Sequence, residues 1–428
     1  MLKHLLLIVF ISVLATTNSK AQWSACGSGF DSQPYDMVVY NNELYVSNVD
    51  SAGGIPITCL AKWNETNWSA FGGSGPDVSG IAEMIVYNGN LVVSGGFTAI
   101  DGFPATRIAM WNGSSWDSLS SGLDGGIYSM TIFNGDLIVG GNFSNAGGVS
   151  AKKIAKWDGT TWSNMHDGFD GPVEAFAVYN NELYAGGNFI RSGQDTMYYI
   201  AKWNGADWDS LGNDELNGEV STLEVYNGSL YAGGDFDFDS VNYVGYWDGV
   251  VWNGCNNGVN DWVYDLEVYN GELYVGGFFD EAYDGTDINF VGRWNGNSWA
   301  VCGSGMDEEV DDFCVFNGKI YASGYFEHAD GILTNYIAGW SVPSAIDEIN
   351  NDDPVSVLPN PTAGKFTFDF ADVQTVPMKI FNALGETVFA DNRFKRNSEI
   401  DLNELAPGIY FALINFKDKQ VRKKIVLQ

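Results

Sequence analysis

Carboxylates are the commonest residues with chemical potential in this 428-residue chain: 54 Asp and Glu stand against 21 Lys and Arg and only 3 His. Two runs have spacings worth testing. Asp235-x-Asp237-x-Asp239 alternates carboxylates as a hard, oxygen-seeking cation such as calcium requires, although no EF-hand glycine and glutamate follow. Asp307-Glu308-Glu309 with Asp311-Asp312 could supply the paired carboxyls of an acid/base hydrolase or lyase. Trp262, with Asp261 and Tyr264 beside it, offers an aromatic platform for a sugar ring or a partner's side chain. The plainer use of that indole is to plug an opening in the fold.

Other chemistries lack their residues. A formal net charge of −33 removes nucleic acid as a partner, because phosphate binding needs Lys and Arg to displace counterions. After the N-terminal leader only His166 and His328 remain, too few for copper-oxidase sites and better read as surface-loop residues. Arg107, Arg191 and Arg293 do not form a sialidase-type triad. Asp158-Gly159-Thr160-Thr161-Trp162 is one residue short of an aspartate box. No Gly-x-Ser-x-Gly element, Walker loop or His-Glu-x-x-His helix is present.

The elements that must position these residues are set by a repeat. Trp63, Trp111, Trp157, Trp203, Trp247, Trp294 and Trp340 follow one another at 48, 46, 46, 44, 47 and 46 residues. A second series, Trp68, Trp116, Trp162, Trp208, Trp252 and Trp299, trails the first by five residues. With Trp23 these are fourteen of the fifteen tryptophans, so only Trp262 stands outside the pattern. Each unit reads as four short strands. The first two are joined by an Asn-Gly or Asn-Asn step suited to a type I′ hairpin, and the tryptophan pair brackets the turn between the last two. Seven such units predict an all-β fold, a seven-bladed β-propeller over residues 22–340. The seventh unit lacks its fourth strand, whereas Trp23 to Gly29 copies Trp299 to Gly305; residues 23–27 are therefore expected to close the ring. Tight turns then share one face and the long variable loops the other, where a ligand would be met.

The ends carry addresses. Residues 1–21 read as a signal peptide, with Lys3 ahead of an apolar run from Leu5 to Leu14 that is too short for a permanent span; the mature chain holds no integral membrane segment. Cys26, Cys59, Cys255, Cys302 and Cys314 match no zinc or redox spacing. Three of them share one repeat position, which suggests small buried residues, with a Cys302–Cys314 disulfide as the alternative. Residues 341–353 form a polar linker. Residues 23–343 hold 9 Lys and Arg against 42 Asp and Glu, so the acidity belongs to the ring. Residues 354–428 read as a small immunoglobulin-like β-sandwich of about seven strands.

The Gly-Gly doublet after the second strand, the aromatic on the third and the Trp opening the fourth resemble kelch-like propellers. They are also similar to the tandem repeats of secreted bacterial propellers and of fungal cell-polarity markers. In the C-terminal module, Pro359-Asn360-Pro361 with Gly364, Leu384-Gly385, Gly408-Ile409-Tyr410 and Lys423-Lys424 resemble the sorting domain of Bacteroidota type IX secretion cargo. That resemblance implies engagement of the type IX machinery through residues 354–428, and an outer-surface or released product. The expected role is binding or adhesion by the loop face toward a glycan or protein, with calcium as the one cofactor worth testing. A secreted carbohydrate-active hydrolase or lyase using loop carboxylates is the alternative, and a structural surface component a third.

Overall fold

Seven Asn-led pairs reverse the chain at positive φ, from Asn41 (49°) and Asn42 (61°) in the first unit to Asn317 (48°) and Gly318 (74°) in the last. These angles give the hairpin a twist that matches its flanking strands. In this computed structural model, described residues are 21–342 save 78–79 and 213–215, and 355–427 save 361, 363, 371–374, 383–386, 404, 406–407 and 417–419. Residues 1–20 of the leader expected over 1–21, residues 343–353 of the linker expected over 341–353, and Pro361, Leu384 and Gly385 lie outside them. Two compact units divide at Val342/Pro343.

Among the described residues, unit one holds seven four-stranded antiparallel sheets. Their first strands, Met37–Tyr40, Ile81–Tyr87, Gly126–Phe133, Val173–Tyr179, Glu219–Tyr226, Val263–Tyr269 and Val310–Phe316, pack each against the next. The last packs against the first, so the sheets are blades 1 to 7 of a closed propeller around a central channel. Gln22–Ala25 is the outer strand of blade 7, pairing Trp23 with Trp340. Blade 7 is thereby built from both ends of the propeller segment, which locks the ring closed.

Tryptophans fasten blade to blade. The two indoles of each blade face one another across its two outer strands, with ring centroids 4.9 Å apart in Trp63–Trp68 and 5.8 Å in Trp247–Trp252. In five blades the outer indole N–H crosses to a backbone carbonyl of the preceding blade, as from Trp162 to Leu119 at 2.8 Å, Trp299 to Cys255 at 2.8 Å and Trp23 to Cys302 at 3.0 Å, whereas Trp116 donates to the Asp101 carboxylate and the Trp252 N–H has no partner. This explains why Cys26, Cys255 and Cys302 share a buried repeat position. All five cysteines are free thiols, so the Cys302–Cys314 pairing is not formed. The first glycine of the doublet is a packing requirement: a Cβ on Gly276 would stand 2.8 Å from Val310 and Phe313 of the next blade.

Unit two stacks a three-stranded sheet (Val355–Leu358, Lys365–Phe370, Glu399–Asp401) on a four-stranded one (Thr387–Lys395, Thr375–Phe381, Gly408–Asn415, Gln420–Leu427). Phe366, Phe368 and Phe370 alternate inward against Met378, Ile380 and Ile414, forming a β-sandwich core. Asn360 secures the terminal strand, donating to the Lys424 carbonyl at 2.7 Å and accepting from the Val426 N–H at 2.8 Å. Tyr410 and Lys423 are buried on adjoining strands, and Gly364 sits at φ 120°.

Candidate functional site at the channel mouth

A β-bulge opens most of the inner strands, between Ile81 and Glu83, Val263 and Asp265, and Val310 and Asp312 among others. The extra residue lets two successive side chains turn toward the channel instead of to opposite faces. On blade 6 these are Tyr264 and Asp265, with Trp262 just ahead of the bulge. Trp262 is 46% exposed, and its ring stands edge-on to Tyr264 at 6.3 Å. Its backbone N–H is held by the Asp261 carboxylate at 2.9 Å, its carbonyl accepts from the Phe278 N–H at 2.9 Å, and its indole N–H is turned to the Asp235 carboxylate. The structure therefore brings Trp262, Asp261 and Tyr264 together at the rim and adds Asp235 to them.

The rim is crowded with negative charge. Burial, then the neighbouring Glu219 carboxylate, raises the Asp235 carboxyl above its ordinary range. Burial, then Glu309, Asp311 and Asp261, pushes the Tyr264 hydroxyl up to about 12. Burial also lifts Asp311 to about 7, against the Gln33 side-chain amide hydrogen-bonded to it. Glu174 goes to about 8, first through burial and then through a hydrogen bond with Glu219, whose Oε2 also accepts from Asn188 Nδ2 at 2.7 Å.

One layer deeper lie Asp36, Glu83, Asp265 and Asp312, all at the same inner-strand position of blades 1, 2, 6 and 7. They reach around the ring: Asp265 Oδ2 accepts the backbone N–H of Phe313 in the next blade at 2.9 Å, and its Oδ1 accepts from the Thr222 hydroxyl at 3.3 Å. Asp36 is met by the backbone N–H groups of Met84 and Met37, and Asp312 by that of Met37. Oδ2 of Asp36 and Oδ2 of Asp312 are buried without a hydrogen-bond partner. Burial raises Asp36 and Asp265 to about 7 and drives Glu83 and Asp312 well above the carboxylate range, the latter two also repelled by their neighbours. As whole residues all four are half-buried, while the two unpartnered oxygens have no accessible surface.

Other acidic residues are spent on the fold. Asp31, Asp77, Asp124, Asp170, Asn217, Asn260 and Asp307 occupy one repeat position, and each accepts backbone N–H groups of the long loop about twenty residues on. Asp307 is such a pin and also pairs with His328 Nδ1 at 2.8 Å. His166 pairs with Asp207 at 3.0 Å in another blade.

The three aspartates proposed for calcium diverge. Asp235 faces Trp262, Asp237 exchanges hydrogen bonds with the pin residue Asn217, and Asp239 turns a hairpin at φ 51°. Among the described residues no group of three His, Cys, Asp or Glu is placed to hold one metal ion. On the tight-turn face a polar cleft of about 490 Å³ between blades 3 and 4 is lined on the blade 3 side by the Lys156–Asp136 ion pair.

Sequence reasoning reached Trp262 by subtracting the repeat. It missed Asp36, Glu83, Asp265, Glu174 and Glu219, and it read Asp312 only as part of an acidic run. The usable signal was a shared repeat position, hidden by the number of acids around it.

Comparison with known proteins agrees with both units. Residues 356–428 match the family described as a secretion system C-terminal sorting domain. Residues 61–227 and 117–271 match, in two overlapping registers, the Rax2 C-terminal beta propeller domain. No curated protein matches the chain. Among solved structures, PorZ, a surface component of the type-IX secretion system of Porphyromonas gingivalis, is 12% identical with a TM-score of 0.38, over 93% of this chain and 66% of that one. The chain thus spans just under two thirds of PorZ. A Bacteroides thetaiotaomicron protein of unknown function is 12% identical with a TM-score of 0.31, over 71% and 82% of the two chains. The extracellular domain of a putative one-component system from B. thetaiotaomicron is 8% identical with a TM-score of 0.20, over 95% and 98%.

Proposed function

We propose that this is a secreted or cell-surface binding propeller, exported by the type IX machinery through its C-terminal sandwich and using the loop-face mouth to hold a glycan or protein. The match of residues 356–428 to a sorting domain supports the export half of this reading. The binding half rests on the exposed Trp262, which the fold does not need for closure and which stands with Tyr264 among unneutralised carboxylates. An indole half open to solvent at a channel rim is a natural anchor for a sugar face or a partner's side chain.

The hydrolase alternative has one observation in its favour, the proton-sharing Glu174–Glu219 pair. These carboxyls are hydrogen-bonded, however, closer than the roughly 5 Å or more that glycosidases keep between acid and nucleophile or base. Binding is therefore the better reading. Glycan arrays and surface-protein pull-downs with the mature chain, run beside a chromogenic glycosidase panel, test it. Capture lost in Trp262→Ala supports the proposal; turnover abolished by Glu219→Gln would replace it.

A further inference from the structure

Near the tight turns, each blade meets the next through two repeat positions, most of them tyrosine. One ends the inner strand: Tyr87, Tyr179, Tyr226 and Tyr269 each donate a hydroxyl hydrogen bond to the hairpin glycine carbonyl of the following blade, at 2.7–3.2 Å. The other lies five residues on, in the second strand. There Tyr45, Tyr184, Tyr231, Tyr274 and Tyr321 share a packed cluster with the first tryptophan of the following blade, and the Trp340 indole N–H donates to the Tyr274 hydroxyl at 3.1 Å. Of the seven such pairs, from Tyr40 with Tyr45 to Phe316 with Tyr321, only Phe133 with Ile138 has no hydroxyl at either position. These two residues belong to the seam between blades 3 and 4, where the cleft of about 490 Å³ opens.

The departure from the repeat leaves polar groups uncovered. Trp63, Trp157, Trp247, Trp294 and Trp340 are buried, whereas their counterpart Trp203 stands half-buried in the cleft wall. Trp111 is half-buried too, but Phe71 stands edge-on against it at 5.4 Å. Among the described residues, the Trp203 indole N–H and the side chains of Asn134, Ser163, Asn164 and Asn181, all lining the cleft, have no hydrogen-bond partner in the protein. The charged groups are already matched: Lys156 pairs with Asp136 at 2.9 Å and Glu182 with Lys202 at 3.3 Å.

We propose that this cleft is a binding site for an uncharged sugar, a mono- or disaccharide unit of a neutral glycan. It lies on the tight-turn face and is independent of the Trp262 mouth. Three features select the guest. Side-chain amides carry donor and acceptor together, as the successive hydroxyls of a sugar ring demand. The paired charges leave no unmatched counter-ion for an anion or a cation, in a ring that is otherwise strongly acidic. The uncovered Trp203 offers an aromatic surface to the apolar face of a sugar ring. The volume falls within the roughly 300–1,000 Å³ of small-molecule sites.

The test uses the mature chain with the methyl glycosides of glucose, galactose, mannose and N-acetylglucosamine, and with cellobiose and lactose, followed by saturation-transfer NMR and calorimetry. Glucuronate and glucosamine are the charged controls. Saturable binding of at least one neutral probe is expected, with the controls weaker. Phe133→Tyr combined with Ile138→Tyr restores the repeat, fills the cleft and should abolish binding while the thermal midpoint holds or rises. Asn181→Gly removes one amide and creates the Asn-Gly turn of five other blades, so it should weaken the probe about tenfold without unfolding the blade. If the double variant does not fold, Asn181→Gly and Ser163→Ala carry the test. No saturable binding of a neutral probe up to about 50 mM overturns the proposal, as does binding that survives in the filled variant or that the charged controls match. Binding lost in Trp262→Ala but kept in the filled variant belongs to the loop-face mouth: this inference then falls and the loop-face proposal stands.

Discussion

A carboxyl group at the channel position of an inner strand serves two opposing demands: it receives backbone N–H groups of the next blade, yet it is buried among its own kind. Hydrogen bonds favour the charged form, but burial wins, holding Asp36 and Asp265 near 7, with repulsion from Glu224 adding to it at Asp265. A carboxyl raised in the folded state stabilises below its unfolded value, near 4, and that stability is lost as pH rises through the folded value. Asp77 has the opposite sign: the Thr98 hydroxyl and the N–H groups of Ala99 and Thr98 hold it down to about 2, so its contribution disappears only in strong acid. The melting temperature is therefore expected to be greatest around pH 4–5 and to fall toward pH 8, with Asp312→Asn flattening the alkaline limb in a calorimetric pH series. Trp262→Ala should change unfolding free energy by less than about 1 kcal/mol, because a half-exposed rim side chain leaves no sealed cavity. Denaturant melts check this, and a large loss would make Trp262 a structural plug.

At the scale of elements, the repeat is enforced by a few positions of different legibility. Tryptophans and Asn-Gly turns are rare enough residues to stand out at a fixed period, which is why strands and hairpins could be read directly. The Asp or Asn that pins each long loop was invisible among 54 acids, because its partner is backbone about twenty residues on and leaves no side-chain signature. Removing one pin by Asp170→Ala should cost about 1–2 kcal/mol, the penalty for buried or loop N–H groups left without their acceptor. Asp170→Asn should cost much less, since Asn217 and Asn260 fill the same role in blades 5 and 6. Equal losses in urea melts would refute the pin. The bulge was equally hidden: it inserts one residue without changing composition, yet it decides that Tyr264 and Asp265 both turn to the channel.

For the whole molecule, closure and export lie at opposite ends of the chain. Gln22–Ala25 supplies the last strand of blade 7 and buries Trp23 completely. Deleting it, with secretion retained, should cost at least about 3–5 kcal/mol, as loss of a buried tryptophan does, and expose a pairing edge seen as concentration-dependent association in sedimentation. Deleting residues 354–428 should leave the propeller folded but absent from the outer surface in cell fractionation; normal surface levels would rule out a sorting role. Sequence alone determined the seven-fold repeat, its closure by the N-terminal strand, the confinement of charge to the ring, and the sorting motifs. Those features rest on local turn chemistry and on residues that recur at a fixed period. Only the tertiary structure decided which acids serve the fold, which gather in the throat, and which two hold unsatisfied oxygens. Residues such as Asp36 and Asp312 are 276 apart in the chain and become neighbours only when blade 1 meets blade 7.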